Sequence, residues 1–178
     1  YGEQSLALAR ALDWREQMAF TLNDLFYTYL NLGDMARARA ALYEARGLWR
    51  ELDDRNMLTD NLSASGMDHI VRGELDAALA IAHESRALAQ SIGNRWGECT
   101  SHMMEGYAHL ERGDFSKALP AFYACIDVGD PIEVRGPVLM AHYELARLYA
   151  FLGDTERAMK FAREALERTR GYTLGWEA

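Results

Sequence analysis

The chain repeats itself every 40 residues. Leu32-Gly33-Asp34, Arg72-Gly73-Glu74, Arg112-Gly113-Asp114 and Leu152-Gly153-Asp154 recur at that interval without a gap. Five residues past each glycine stands an alanine (Ala38, Ala78, Ala118, Ala158), and twelve past it a small residue (Ala45, Ser85, Cys125, Ala165). Four before it stands a ring: Tyr29, His69, His109, Tyr149. Arg15, Arg55, Arg95 and Arg135 keep the same interval. A period of this length is the mark of an array in which each unit buries its apolar face against its neighbours.

Each unit reads as two helices. Before the glycine, Leu22, Leu25, Tyr29 and Leu32 fall at helical spacing, as do Leu145, Leu148 and Leu152 in the last copy. After it, Ala38, Leu42, Ala45 and Leu48 do the same. The glycine suits a left-handed residue closing the first helix, and the acid after it meets the positive end of the next helix dipole. Alanine in the second helix, with Gly66, Gly106 and Ala146 in the first, allows close approach. Phe26 replaces the small residue in the first unit, which predicts a wider helix pair there or a shifted neighbour. Nine helices are expected, near 3–13, 15–31, 35–52, 55–71, 75–92, 95–111, 115–128, 137–151 and 155–170.

Composition narrows the function classes. Apolar residues make up 49% and charged residues 26% of the 178, which fits a folded chain. The net charge is -8, with acidic residues in excess in both halves, which argues against direct binding to a phosphate backbone. No apolar run is long enough to span a membrane. Two cysteines are no disulfide framework and point to a reducing, cytoplasmic setting.

The pattern of small residue, ring, Gly-acid, Ala and Ala resembles the tetratricopeptide repeat. The unit is longer than that family's usual length of about 34 residues. In this it is similar to the 40-residue repeats of kinesin light chains and of bacterial multidomain signalling regulators. Ser91-Ile92-Gly93-Asn94-Arg95-Trp96-Gly97-Glu98 looks most like the latter. The resemblance implies an all-α, right-handed superhelical solenoid of helix-turn-helix repeats, with the second helices on the convex side. It covers essentially all of 1–178: a half repeat at 1–14, repeats at 15–54, 55–94, 95–135 and 136–175, and the start of a further helix at 176–178. Neither end shows a polar capping helix, so a segment of a longer protein is expected. Leu6, Leu8 and Leu12 then lack a partner helix, and self-association through them is a possible consequence.

Two places break the pattern. Pro120 lies inside a second helix and should bend it. The stretch from Gly129 to Pro137 ends that helix early, with Pro137 suited to the first turn of the next; this irregular junction is where a hinge is expected.

The residues offer little for catalysis. His69 and His109 occupy the ring column and read as packing residues; His102 and His142 share another column, and His83 points outward. Cys99 and His102 have no second pair at ligand spacing, so no zinc site is expected. Cys125 sits in the small-residue column as a buried thiol. Arg112-Gly113-Asp114 spells an adhesion tripeptide but is one of four equivalent turns. The column arginines read as links between adjacent units, through carbonyls or acids. No enzyme and no cofactor is implied.

The expected function is a protein–protein interaction scaffold within a larger regulatory protein. An apolar or amphipathic peptide or helix would lie in the concave groove, without direct nucleic-acid or membrane binding. The alternative is a sensory module that takes a small molecule or short peptide. In the family's usual geometry, places counted back from each turn glycine line the groove. Carried onto this chain they give Phe20, Asn23, Tyr27, Leu30 and Asn31; Asp60, Ser63, Met67, Ile70 and Val71; Thr100, Met103, Tyr107, Leu110 and Glu111; and Met140, Tyr143, Arg147, Ala150 and Phe151, of which Phe20, Asn23, Tyr27, Ser63, Met67, Met103, Tyr107, Met140, Tyr143 and Arg147 are the candidate groove residues. These columns are aromatic and Met-rich, and Arg147 is their one cation.

Overall fold

A computed structural model describes residues 1–169 of the chain. The described residues form nine α-helices and one 3-10 turn, with no strand. They are α1 (Gly2–Ala11), α2 (Arg15–Asn31), α3 (Met35–Glu51), α4 (Arg55–Val71), α5 (Leu75–Ile92), α6 (Arg95–Glu111), α7 (Phe115–Gly129), α8 (Arg135–Phe151) and α9 (Thr155–Thr169). Expected and observed ends agree within two residues, and residue 170 of the last expected helix lies outside the described residues. Each helix packs on the next in sequence, and α4 and α6, like α6 and α8, also touch, which is the contact pattern of a helical repeat solenoid.

The Gly-acid turns work as the sequence implies. Gly33, Gly73, Gly113 and Gly153 all have φ between 73° and 80°, where a side chain would be strained. In the first copy the Gly33 N–H donates to the Leu30 carbonyl and the Asp34 N–H to Tyr29, closing α2 with a Schellman pair. The Asp34 carboxylate then accepts from the Arg37 N–H at 3.1 Å, and Asp154 does the same for Arg157 at 3.0 Å. In both units that arginine also lies 4.7 Å above the ring of the preceding tyrosine, Tyr29 or Tyr149. The middle units differ. Glu74 is too long to cap and instead meets His69 Nδ1 at 2.7 Å, while Asp114 accepts from Ser116 and pairs with Lys117.

A second 40-residue column emerges at the other helix ends. Asp13, Asp53, Gly93 and Glu133 all have positive φ, from 49° to 69°, and three of these residues are not glycine. The turn between units therefore needs a left-handed residue as much as the turn within them, and carboxylates fill it under strain.

Ala38, Ala78 and Ala118 are fully buried. The expectation attached to Phe26 resolves in one of its two forms. Phe26 is fully buried and α2 packs on α3 as closely as in other pairs, but the α2 and α4 backbones stand apart. Side chains fill that space with polar groups. Arg46 of α3 donates through Nε to Asn61 Oδ1 at 3.0 Å and also bonds Ser65. Asn61 Nδ2 donates to Asn23 Oδ1 at 2.9 Å and to the Leu42 carbonyl at 3.0 Å. Thus α4 buries Thr59, Asn61, Ser63, Ser65 and Asp68 beside only Leu62, Ala64 and Gly66. One apolar cluster lies on either side: α1–α3 around Trp49 and Phe26, and α6–α9 around Phe122, Val138 and Leu145.

The irregular junction is packed. α7 runs on through Pro120, which is exposed, as is Ser116 whose carbonyl loses its partner. A 3-10 turn at Asp130–Ile132 follows. Gly129 lies so close to Val138 and Cys99 that a Cβ there would come within 2.4 Å of the former. α8 starts at Arg135, two residues earlier than expected, and Pro137 falls in its first turn. Three of the four column arginines link the two helices of one unit at their open end, not adjacent units as expected: Arg15 pairs with Glu51, Arg55 donates to Ser91 and Arg95 to the Val128 carbonyl. The register sets the first residue of one helix against the last turn of its own partner. Arg112 of the adhesion-like tripeptide pairs with Asp76.

Candidate functional site

First helices build one groove of about 640 Å³. Tyr27 of α2 stands at one end. Asp60, Ser63, Ala64 and Met67 of α4 follow, then Trp96, Thr100, Met103 and Met104 of α6, and Gly136, Pro137, Leu139 and Met140 of α8. Thr169, at the end of α9, also reaches the lining. The site climbs as it crosses the units. It meets α2 six residues before the turn glycine, but meets α6 and α8 near their first turns, at Trp96 and Gly136. Each successive unit is rotated, so a straight ligand crosses the helices obliquely.

Five of the ten sequence-expected residues line this groove: Tyr27, Ser63, Met67, Met103 and Met140. The other five are placed elsewhere. Phe20 lies edge-on to Trp49 at 4.9 Å, part of the α2–α3 packing. Asn23 is buried in the Asn61 network, a consequence of the gap between α2 and α4. Tyr107 packs edge-on, at 5.6 Å, against Phe122, whose ring fills the space that Gly106 leaves. Tyr143 is exposed beneath the Arg147 guanidinium, and Arg147 pairs with Glu144 at 2.8 Å. Arg147 lines a second, smaller pocket of about 420 Å³ with Phe115 and Phe151. Trp96, Met104 and Leu139 were not reached by counting back from the turn. The exposed tryptophan two residues into α6 is the signal in the sequence that points to them.

The groove's hydroxyls are occupied. Ser63 bonds Thr100 at 3.1 Å and the Thr59 carbonyl at 3.2 Å, and Thr100 donates to the Gly97 carbonyl at 3.0 Å. Neither is a nucleophile held by a base. Asp60 is the one charged side chain among the described lining residues. Burial and then the nearby Asp24 push its carboxyl pKa upward. Burial, Asp60 and Asp24 together push the Tyr27 phenol up to about 12, so it stays a neutral donor at every ordinary pH.

The remaining titratable groups serve the fold. Glu105 receives His102, Arg86 and His83, and these partners hold its carboxyl far below the usual range. His142 meets the Val138 carbonyl through Nδ1 at 2.8 Å and faces Glu164 through Nε2 at 3.5 Å. Cys99 and Cys125 are buried free thiols with their sulfurs 3.4 Å apart; that contact and burial raise the Cys125 pKa, which suppresses the reactive thiolate. No group of three or more His, Cys, Asp or Glu side chains among the described residues is arranged to hold a metal ion. No described helix is long and apolar enough to cross a membrane.

A tetratricopeptide repeat model matches residues 141–172. No curated protein matches the chain. Among solved structures, BtubC (BKLC) from P. vanneervenii superposes with a TM-score of 0.80 at 18% identity, covering 99% of this chain and 74% of that one. Aspartyl phosphate phosphatase F from Bacillus subtilis gives a TM-score of 0.77 at 11% identity, covering 96% of this chain. The chain spans about half of that protein, 49%. At these identities the likeness is one of fold: the chain is a helical repeat solenoid in which one tetratricopeptide repeat is matched.

Proposed function

We propose that the array is a protein-interaction scaffold whose groove takes an apolar or amphipathic peptide segment. The observation that carries this is the row of four methionines, Met67, Met103, Met104 and Met140, flanked by Tyr27 and Trp96 on a continuous groove built by four units. Methionine adapts to varied apolar partners, and aromatic side chains anchor interfaces. One fold neighbour bears the name of a phosphatase. Among its described lining residues the groove holds one carboxylate, a phenol and three internally bonded aliphatic hydroxyls, which supports a binding role rather than a hydrolytic one. The test is a peptide-display selection against the chain, followed by titration of the selected peptides into a Met67→Ala/Met103→Ala/Met140→Ala variant. Affinity is expected to fall at least tenfold while helicity is kept. Unchanged affinity with intact helicity would remove the groove from the account.

A volume of about 640 Å³ also lies within the range of small-molecule pockets. This favours the sensory alternative as a second reading, tested by a thermal-shift screen of the parent chain against a metabolite set, with the triple methionine variant as the control. Self-association is a separate proposal: Leu6 packs into the core, but Leu8 of α1 and Leu12 just after it stay more than 60% exposed. A Leu8→Ser/Leu12→Ser variant that sediments like the parent chain would discard it.

A further inference from the structure

The groove has a chemical polarity along its length. Among the described residues its α6–α8 end, at Trp96, Pro137 and Met140, is lined by no charged side chain. Its α2–α4 end carries Asp60, with Asp24 close enough to act on it and on the Tyr27 phenol. Only burial and Asp24 act on Asp60, both in the direction that an unopposed negative charge requires. Arg39 and Arg46 of α3 and Arg55 of α4 are engaged elsewhere: Arg39 faces Asp68 and Glu74, Arg46 holds Asn61 and Ser65, and Arg55 reaches Ser91. A half-buried carboxylate with no opposing cation is costly, and a partner that brings one recovers that cost on binding.

We propose that the occupant of the groove is a basic amphipathic helix, with its apolar face on Met67, Met103, Met140 and Trp96 and a lysine or arginine placed at Asp60 and Asp24. This deepens the scaffold reading and rests on it. Tyr27 adds a ring face at the acidic end, where a cation is attracted by the aromatic quadrupole as well as by the carboxylates. A helix is favoured because its apolar stripe with a flanking charge matches a groove whose apolar stretch ends at a charged rim.

The test is fluorescence anisotropy with three designed 18-residue amphipathic helices. They share a leucine face and differ in carrying lysine, glutamine or glutamate on the polar side. The lysine peptide is expected to bind tightest and the glutamate peptide weakest. Asp24→Asn/Asp60→Asn should weaken the lysine peptide about tenfold, as for two partly shielded ion pairs, and leave the glutamine peptide within about twofold. Asp127→Asn/Glu156→Gln removes the same charge from exposed second-helix positions and should leave all three unchanged. Equal loss in the two charge-matched variants, equal affinity for the lysine and glutamine peptides, or no binding of the lysine peptide overturns the inference. If the triple methionine variant loses both the lysine and glutamine peptides while the aspartate variant keeps them, the groove reading stands and the basic partner falls. If the methionine variant keeps the lysine peptide, the groove reading itself falls.

Discussion

Gly66 and Gly106 occupy the same place in successive first helices, yet alanine should have opposite effects at the two. Either replacement removes a mid-helix glycine, which is worth roughly 0.5–1 kcal/mol to the folded chain. At Gly66 the new Cβ would meet Met104 and Ile81 at 3.4–3.5 Å, ordinary van der Waals contact, so the gain survives. At Gly106 it would fall 2.6–2.8 Å from three ring atoms of Phe122, which is itself fully buried and held edge-on by Tyr107. Overpacking of this kind costs about 1–3 kcal/mol. Gly66→Ala should therefore stabilise by about 0.5–1 kcal/mol and Gly106→Ala destabilise by about 1–2 kcal/mol. Urea titrations followed by circular dichroism at 222 nm measure both, and thermal midpoints should move by about 2–4 °C per kcal/mol. Phe122→Leu in the Gly106→Ala background should cost less than the two single changes summed, because the clash is shared. Shifts of the same sign for the two glycines would refute the packing argument.

Glu133→Gly relieves a left-handed backbone at φ 56° and should raise stability by about 1 kcal/mol in a thermal melt; a lowered midpoint would show that the side chain matters more than the strain. Glu105→Gln should destabilise by about 1 kcal/mol at pH 7. The His102, Arg86 and His83 contacts depress the folded pKa of Glu105, so its contribution is present above the ordinary 4.5 and lost as pH falls through the folded value. The gap between parent and variant should therefore close below pH 4.5, and a gap constant down to pH 2 would be inconsistent with that origin. Arg46→Ala leaves the buried Asn61 Oδ1 without its donor between α3 and α4, while Ser65 keeps the Asn61 carbonyl, and should cost about 1–3 kcal/mol, read as a fall in urea midpoint; a neutral result would show water replacing the guanidinium.

What the sequence determined by itself is what short-range physics governs. Helix ends, the Gly-acid turns and the buried alanine column follow from interactions within a few residues: a left-handed glycine, a carboxylate at a helix N-terminus, a 3.6-residue period. Repetition then made one unit's pattern legible in the others. The carboxylates of the inter-unit turns, Asp13, Asp53 and Glu133, were less visible, because only Gly93 in that column carries the usual residue for a left-handed turn. Tertiary structure alone decided which of the columns reach the groove. A fixed count from each turn assumes identical stacking of all units. Here α2 stands off from α4, which draws Asn23 into a buried network with Asn61 and Arg46. The rotation from unit to unit carries the groove from Tyr27 in the last third of α2 to Trp96 and Pro137 at the starts of α6 and α8. That rotation is a sum of side-chain volumes packed between helices some 40 residues apart in the chain. No local pattern encodes such a sum, so the groove's oblique course had to be read from the packed array, although the count from the turn glycine already reached Asp60.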